Sequence, residues 1–232
     1  MKYRYLLVDN DNTLMDFNLS ERKALTETLE ACGLPADEET CAAYHHINDA
    51  LWKALERGET TQKQLKVERF ARLLERLGRT DLDAAAVAAR YSDQLATHAD
   101  LLPGAMELLE AVHGRMKIAL VSNGVSAIQR GRLSRSPILP LMDAVIISEE
   151  IGVSKPNPRM VEAALAALGC DDKAEAVMLG DSLTADIPAA ANAGVDSIYL
   201  DRHGRGSDLA TYTVPSLGEA RALLMDFLQA VN

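Results

Sequence analysis

The chain has few cysteines, few prolines and glycines, and no repeating composition. Its three cysteines, Cys32, Cys41 and Cys170, stand among 232 residues without Cys-x-x-Cys spacing. Such an odd, scattered set indicates neither a disulfide framework nor a zinc site, and it favours a reducing cytosol. With 14 glycines and 8 prolines, the sequence also lacks the composition of a collagen or of a proline-rich low-complexity chain.

Cations are also scarce, since 24 lysines and arginines face 34 acidic residues and the net charge is -10. This balance argues against nucleic acid as a partner, because affinity for a polyanion comes from clustered Lys and Arg. It leaves room for one small anionic substrate that is bound locally. The short apolar run at residues 3–8 meets acid at Asp9, which is unlike a signal peptide or a membrane span. We therefore expect a cytoplasmic protein with no membrane partner, acting as a monomer or dimer.

Hydrophobic spacing predicts one α/β fold with a helical insertion. The run 3–8 predicts a buried strand, and four amphipathic helical stretches follow it with no strand between them. After Pro103 helices and strands alternate, which is typical of a mostly parallel sheet covered on both faces. One strand before the helices and four after them predict a Rossmann-like α/β core domain from residues 1–15 and 97–232. Residues 16–96 are then an all-helical cap domain inserted at the mouth of the sheet.

Polar residues cluster where the predicted strands end. Ligands of an open α/β sheet bind outside the carboxyl ends of its strands, so we expect these residues to share one crevice. Acids that lie this close repel one another unless a cation is present, and hard carboxylate oxygens without His or Cys suit Mg²⁺. The groups are Asp9-x-Asp11-x-Thr13, Ser122-Asn123-Gly124, Lys155-Pro156 and Gly180-Asp181-Ser182-x-x-x-Asp186.

Each of these residue types has a role in phosphoryl transfer. The Asp9 carboxylate can attack phosphorus and form an acyl phosphate that water later cleaves. Asp11 can protonate the leaving alcohol and then take a proton from the attacking water. Lys155 would neutralise charge on the transferring group, and the Ser122 hydroxyl with the Asn123 main-chain N–H would bind its oxygens. We expect Thr13 to take part in substrate binding as well.

Taken together, the four segments resemble the ordered motifs of the haloacid dehalogenase (HAD) superfamily, and the resemblance covers essentially the whole chain. Four motifs in order are far more specific than any one of them. The helical block is similar to the cap that the superfamily inserts after its first motif. The segments are Asp9-Asn10-Asp11-Asn12-Thr13-Leu14, Val121-Ser122-Asn123-Gly124, Lys155-Pro156-Asn157-Pro158 and Gly180-Asp181-Ser182-Leu183-Thr184-Ala185-Asp186.

The resemblance implies a Rossmann-like core and a magnesium ion held by Asp9, the Asp11 carbonyl and Asp181. It also implies that Asp186 supports the metal shell. Asn12 stands where many members have glycine, so the turn between the two acids departs from the usual pattern. By these implications the chain is a phosphatase that releases phosphate from a small phosphorylated metabolite.

Within the superfamily, two further segments look like those of the YjjG-type pyrimidine 5'-nucleotidases. This likeness implies a nucleoside monophosphate such as dUMP, UMP or dTMP as substrate, while the cap residues that would contact the base stay unassigned. The segments are Asn48-Asp49-Ala50-Leu51-Trp52 with Gly58-Glu59-Thr60-Thr61, and Ile147-Ser148-Glu149-Glu150-Ile151-Gly152-Val153 before the motif lysine.

Several of these residues also fit ordinary structural roles. Taken singly, Ser122 is typical of a helix N-cap and Lys155 of a solvated charge, but their order among the four motifs favours the site. Asp186 stays open between a metal-shell role and an acid at a helix N-terminus, where the helix dipole favours it.

Other conspicuous residues are predicted to lie outside the site. His45 and His46 are expected on the surface or in packing. Trp52 could stack on a base but is expected in a helix–helix core. The basic stretch Arg130 to Arg135 is expected to be a solvated helix face.

Four other activities stay open. A sugar-phosphate phosphatase would share the chemistry, and a phosphomutase would use both Asp9 and Asp11. A 2-haloacid dehalogenase lacks the second acid, so Asp11 counts against it. A receiver-like module phosphorylated on Asp9 would gather similar residues, but such modules have no cap-sized insertion.

Overall fold

The computed structural model describes residues 2–229, and only the backbone of Glu56. Within them one parallel sheet of six strands has the order β3-β2-β1-β4-β5-β6. The direction of strand addition reverses beside β1, which places a crevice at the carboxyl ends of β1, β2 and β4. The strands are β1 (Tyr5–Val8), β2 (Lys117–Ser122), β3 (Ala144–Ile147), β4 (Ala176–Gly180), β5 (Asp196–Leu200) and β6 (Tyr212–Val214).

The central strands are apolar on both faces because helices cover both sides of the sheet. In β1, Leu6 and Val8 join one hydrophobic cluster, whereas Leu7 joins the cluster on the opposite face. All three side chains are fully buried. A strand that is buried on both sides reads as a continuous apolar run, and this run ends where Asp9 reaches the crevice.

Ten α-helices lie in the described part of the chain. Five of them lie between β1 and β2, and we call the first four of these the helical unit: α1 (Phe17–Ala31), α2 (Glu38–Glu56), α3 (Gln62–Arg76) and α4 (Ala84–Leu95). The other six are α5 (Ala105–Val112), α6 (Ser126–Ser134), α7 (Ser148–Ile151), α8 (Arg159–Leu168), α9 (Asp186–Ala193) and α10 (Leu217–Gln229).

The helical unit has a hydrophobic cluster of its own. Tyr44, Phe70 and Tyr91 pack with ring centroids 5.2 to 5.6 Å apart, and all three are fully buried. From the core, Val125 and Ile128 of the α6 segment also join this cluster. The α6 segment therefore contacts both the sheet and the helical unit.

Two connections join the helical unit to the sheet, and they run side by side. Asp16 N donates to Asp100 O at 2.9 Å, and Leu102 N donates to Leu14 O at 2.9 Å. In the first connection Asn12 has a φ of 61°. Asparagine tolerates this left-handed conformation better than most residues, so Asn12 can make the turn that glycine makes elsewhere.

The predicted α/β fold is confirmed, although one strand and one α-helix were missed. The sequence predicted five strands, whereas β6 adds a sixth strand of three residues at the edge of the sheet. The short helix α7 directly after β3 was not predicted either. Within residues 2–229 no helix has both the length and the apolarity needed to cross a membrane.

Candidate active site

Asp9 and Lys155 form the centre of the crevice. Asp9 follows β1 and still donates its main-chain N–H to Leu179 O in β4, at 3.0 Å. The Lys155 ammonium donates to Asp9 Oδ1 at 2.6 Å and to Val121 O at 2.6 Å. Lys155 is 2% exposed and Asp9 is 6% exposed. The expected solvated-charge alternative for Lys155 therefore does not apply, and the cation faces the predicted nucleophile.

Asp181 and Asp186 complete a cluster of acids around Asp9. One carboxylate oxygen from each of the three residues lies within 4.8 Å of the others. Asp186 opens α9, accepts from Ser182 N at 3.0 Å, and has its Oδ1 2.7 Å from Lys155 Nζ. Both interpretations of Asp186 thus describe its position, since it lies at a helix start and inside the acid cluster.

Glycine at the end of β4 makes room for this arrangement. A Cβ atom at Gly180 would lie 2.4 Å from Asp186 Cγ, far inside normal contact distance. Any side chain at that position would displace the Asp186 carboxylate, so packing requires glycine at position 180.

Burial and the nearby charges shift the pKa values of the residues in the cluster. Burial, followed by the nearby Asp186, raises the pKa of Asp9 well above its usual range, against the opposing effect of Lys155. The same two causes raise the pKa of Asp181 to about 7. Burial disfavours the charged form of Lys155, but Asp186 and Asp9 together raise its pKa above the ordinary value. The ionised forms of Asp9 and Asp181 are therefore disfavoured when Lys155 is the main cation beside them.

The residues fit a divalent cation by both charge and chemistry. When all three are ionised, the carboxylates and the one ammonium leave an excess of two negative charges in a largely buried cluster, which a divalent cation would neutralise. Oxygen donors without His or Cys are those that Mg²⁺ prefers. A further cation, Arg202, has its Nη2 atom 4.0 Å from Asp181 Oδ2, and its side chain is partly exposed.

The three residues predicted to bind substrate take different positions. Thr13 is fully buried and donates to Asp181 Oδ1 at 3.3 Å, so it contacts the acid cluster and not the open crevice. The Ser122 hydroxyl lines the crevice and accepts from Gly124 N at 3.0 Å. The Asn123 side chain bonds both main-chain groups of Lys155, at 2.7 and 2.9 Å, and thereby fixes the loop that carries the lysine.

Asp11 is held by two side chains from α6. Gln129 Nε2 donates to Asp11 Oδ2 at 2.6 Å, and Arg132 Nη1 donates to Asp11 Oδ1. Arg132 is fully buried, so the expected solvated face at Arg130 to Arg135 is wrong for this residue. The expectation failed because it was based on the overall net charge, whereas this face of the helix contacts the carboxylate of Asp11.

The crevice continues into a cavity of about 780 Å³ between the sheet and the helical unit. From the helical unit its wall includes His45, His46 and Trp52. Trp52 is half-buried and is not part of the unit's apolar cluster, so the expected helix–helix core position is wrong. Both histidines, expected on the surface or in packing, also face this cavity.

Deeper in the same wall lies a buried polar network. Glu21 accepts from Asn48 Nδ2 at 2.8 Å and pairs with His45 Nδ1 at 2.8 Å. Arg69 donates to Asn48 Oδ1 at 3.1 Å and stacks over Tyr91, its guanidinium carbon 4.6 Å from the ring centroid. These polar groups therefore bond one another in the wall of the cavity.

Sequence reasoning missed Gln129, Arg132, Glu21 and Arg69. The available signal was positional for the first pair, because Gln129 and Arg132 are three residues apart on the helix that begins just after the Ser122-Asn123-Gly124 motif. Residues at this spacing share a helix face.

Comparison with known proteins agrees with this geometry. The profile of a hydrolase family, the haloacid dehalogenase-like hydrolases, matches residues 3–194. The pyrimidine 5'-nucleotidase PynA of Streptococcus pneumoniae is 37% identical over 204 residues, which make up 88% of this chain and 86% of that protein. The pyrimidine 5'-nucleotidase YjjG of Escherichia coli is 33% identical over 227 residues, covering 97% and 99% of the two chains.

Among solved structures, YfnB from Bacillus subtilis has a TM-score of 0.90 and 30% sequence identity. The superposition covers 97% of this chain and 99% of that chain. That protein was crystallised bound to magnesium, and its structure reveals interdomain movement.

Proposed function

Since this chain belongs to the haloacid dehalogenase-like hydrolase family, we propose that it is a magnesium-dependent phosphomonoesterase that acts through an aspartyl phosphate on Asp9. Its substrates are pyrimidine nucleoside 5'-monophosphates. The observation that carries the proposal is the buried Asp9 carboxylate, paired with Lys155 at 2.6 Å and grouped with two more acids at the base of one cavity.

In the first half-reaction the free carboxylate oxygen of Asp9 attacks the phosphorus atom. The bond between phosphorus and the ester oxygen breaks, and Asp11 gives its proton to that oxygen so that the nucleoside leaves as an alcohol. Lys155 keeps Asp9 oriented and stabilises the negative charge on the phosphoryl oxygens as they move towards it.

In the second half-reaction a water molecule attacks the phosphorus of the acyl phosphate. Asp11, now ionised, takes the water proton, and the bond between phosphorus and Asp9 oxygen breaks. Inorganic phosphate leaves, the Asp9 carboxylate is restored, and Asp11 is protonated again. The two steps balance in atoms and charge with water as the only co-reactant.

Asp9, Asp181 and the main-chain carbonyl of Asp11 would hold the magnesium ion, with Asp186 supporting this set. When bound, Mg²⁺ supplies positive charge that neutralises the phosphoryl oxygens and the crowded acids. The two surplus negative charges of the cluster support this assignment.

We propose that residues 16–96 are a cap domain whose wall binds the nucleoside. The cavity volume of about 780 Å³ lies within the range of about 300–1,000 Å³ that is typical of small-molecule sites. The half-buried indole of Trp52 offers a face on which a base can stack. The two relatives named pyrimidine 5'-nucleotidases support the choice of base.

The test is a screen of phosphorylated metabolites with Mg²⁺, scored by release of inorganic phosphate. We expect dUMP, UMP and dTMP to be hydrolysed faster than sugar phosphates or purine nucleotides, and a chelator to stop the release until Mg²⁺ is restored. A profile that favours sugar phosphates would overturn the substrate class but leave the reaction type standing.

Asp9→Asn should abolish phosphate release while the far-ultraviolet circular dichroism spectrum stays that of the wild type. The amide cannot serve as the nucleophile, and we expect a loss of at least about 10³-fold. Asp171→Asn, an exposed aspartate outside the cluster, is the matched control and should keep full activity. Substantial turnover by Asp9→Asn would exclude the aspartyl phosphate.

A further inference from the structure

The α6 helix carries two polar side chains that the family motifs do not include. Arg132 is fully buried, and its guanidinium makes two directed contacts. Its Nη1 atom donates to Asp11 Oδ1, and its Nε atom donates to His98 O at 2.9 Å. A buried cation needs such partners, because desolvating an unpaired charge costs several kcal/mol. Arg132 therefore cannot leave Asp11 without a substitute acceptor.

Gln129 holds the other oxygen of the same carboxylate. Its Nε2 atom donates to Asp11 Oδ2 at 2.6 Å, and its Oε1 atom accepts from Asn10 Nδ2 at 2.5 Å. Gln129 is 2% exposed. A Cβ atom at Gly124 would lie 2.3 Å from Gln129 Nε2, so the motif glycine leaves the space that this amide occupies. Both oxygens of Asp11 are thus fixed from one helix face.

The same helix contacts both ends of the helical unit. His98, which accepts from Arg132, lies in the connection that returns from α4, and Phe17 at the start of α1 has its ring centroid 5.7 Å from the Arg132 guanidinium carbon. Gly131 packs against Ala96, since a Cβ atom there would lie 2.8 Å from Ala96 Cβ. The contacts of α6 therefore connect Asp11 to the junction between the helical unit and the sheet.

We propose that Gln129 and Arg132 are positioning residues that aim the Asp11 carboxylate at the leaving-group oxygen. This inference rests on the proposed function, because it assigns a task only if Asp11 transfers protons. Neither residue needs to touch the substrate. Two directed bonds to one carboxylate restrict its rotation, and misplacement of a catalytic group by about 1 Å can cost about 10²-fold in rate.

A comparison of two esters separates positioning of Asp11 from a general structural role. An alkyl phosphate such as dUMP releases a strongly basic alkoxide and needs the proton. In contrast, 4-nitrophenyl phosphate releases a weakly basic phenolate that departs without it. The ratio kcat/KM covers steps only up to the departure of the leaving group, so later water attack does not enter the comparison.

The variants are Gln129→Met, Arg132→Met and Arg132→Lys, measured with both esters and Mg²⁺. We expect Gln129→Met and Arg132→Met to lower kcat/KM for dUMP by about 10- to 100-fold. The loss with 4-nitrophenyl phosphate should be at least about tenfold smaller. Arg132→Lys keeps the charge but not the planar fork, and it should recover part of the dUMP activity. Arg135→Met, at the exposed residue that directly follows the same helix, is the matched control and should behave as the wild type.

Double variants with Asp11→Asn give an independent measurement. If Gln129 and Arg132 act through Asp11, their substitution should lower dUMP turnover no further once the carboxylate is gone. If Arg132→Met does not fold, Gln129→Met still decides the test. It removes only the hydrogen bonds of a neutral amide with Asp11 and Asn10, and it leaves no buried cation unpaired.

Equal losses with both esters, or full additivity with Asp11→Asn, would overturn the positioning role. Faster dUMP turnover by Gln129→Met would also overturn it, because the contacts would then restrain Asp11 away from the substrate. If the wild type itself releases no phosphate from either ester, the proposed function fails and the positioning role fails with it, whereas equal losses in an active enzyme overturn the positioning role alone.

Discussion

At the scale of single residues, the site concentrates charge that the rest of the core excludes. Asp9, Asp186 and Lys155 are each nine-tenths or more buried, and Asp181 lies beside them with a pKa raised to about 7 by burial and then by Asp186. Like charges held this close cost stability, which the rest of the fold must offset. Sites of this kind are commonly less stable than neutral replacements would be.

We expect Asp181→Asn to stabilise the protein in a chelator and to remove its response to Mg²⁺. The substitution removes a repelled anion, while Asn can still accept from Thr13, so the gain should be on the order of 1 kcal/mol. Urea unfolding with and without Mg²⁺ measures both effects, and the exposed Asp208→Asn is the control. A destabilised variant in the chelator, or one that Mg²⁺ stabilises as much as the wild type, would contradict this prediction.

His45 gives the helical unit a pH-dependent contact. Its bond to Glu21 raises the His45 pKa against the opposing effect of burial. A raised pKa means that the contact stabilises the fold fully below the unfolded pKa and less as the pH rises through the folded pKa.

The free energy of unfolding of the wild type should therefore exceed that of His45→Gln more at about pH 5.5 than at about pH 8.5. Because His45 is partly exposed, we expect a difference below about 1 kcal/mol. His46→Gln, on the neighbouring residue, serves as control in the same urea titrations. A larger gap at the alkaline pH would contradict the sign.

Some site residues could be predicted and others could not, for a physical reason. Asp9, Asp181 and Asp186 follow apolar strands, and strand ends of a parallel sheet converge whatever the details of packing. Arg132 and Glu21 have long side chains whose partners lie far away in sequence. Their burial depends on which helix face meets which acid, and hydrophobic spacing does not encode that choice. The position of Trp52 was predicted wrongly for the same reason, since a helix face that lines a cavity and one that packs on another helix have the same hydrophobic spacing.

At the scale of elements, α6 is short but contacts both parts of the molecule. It spans Ser126–Ser134, packs Ile128 into the cluster of the helical unit, and presents Gln129 and Arg132 to Asp11. Close approach to the end of α4 depends on Gly131, where a Cβ atom would lie 2.8 Å from Ala96 Cβ and 3.0 Å from Ala96 O.

Gly131→Ala should destabilise the protein by about 1–3 kcal/mol, because overpacking forces neighbouring backbone to move. Gly218→Ala is the matched control. Gly218 also lies in a helix, but its added Cβ atom would meet only Ser216 Oγ, at 3.6 Å. There, alanine should stabilise by up to about 1 kcal/mol. Thermal unfolding of both variants measures the contrast, and equal effects would show that α6 does not need its close contact with Ala96.

Most elements could be predicted from period and length, and the two that were missed were too short to show a period. Strand β6 has three residues with a threonine in the middle, and helix α7 has only four residues. Neither contains a full hydrophobic repeat, so only contact with neighbouring elements determines their structure.

At the scale of the whole molecule, side-chain contacts outside the two connections also bridge the helical unit and the core. Lys66 pairs with Glu149 at 2.6 Å, and Gln62 Nε2 donates to Asn123 O and to Ser148 Oγ, each at 2.9 Å. Gln62, Lys66 and Asn123 also line the cavity. These contacts therefore favour the arrangement in which the helical unit and the core together enclose the cavity.

Lys66→Met should raise the KM for the nucleotide about two- to fivefold, because a partly exposed ion pair contributes about 0.5–1 kcal/mol to the bounded arrangement. The effect should shrink in high salt, which screens the pair. Steady-state kinetics at two ionic strengths measures it, with the exposed Lys63→Met of the same helix as control. An unchanged KM at low salt would mean that this pair does not restrain the helical unit.

The position of β1 in the sheet has a consequence for biosynthesis. On the ribosome, β1 emerges before both of its hydrogen-bonded neighbours, which are β2 at Lys117–Ser122 and β4 at Ala176–Gly180. The helices between β1 and β2 make local contacts and can form early, whereas β1 cannot complete its pairing until β2 and β4 have been synthesised. Asp9, the proposed nucleophile, is therefore synthesised well before the strands that surround it.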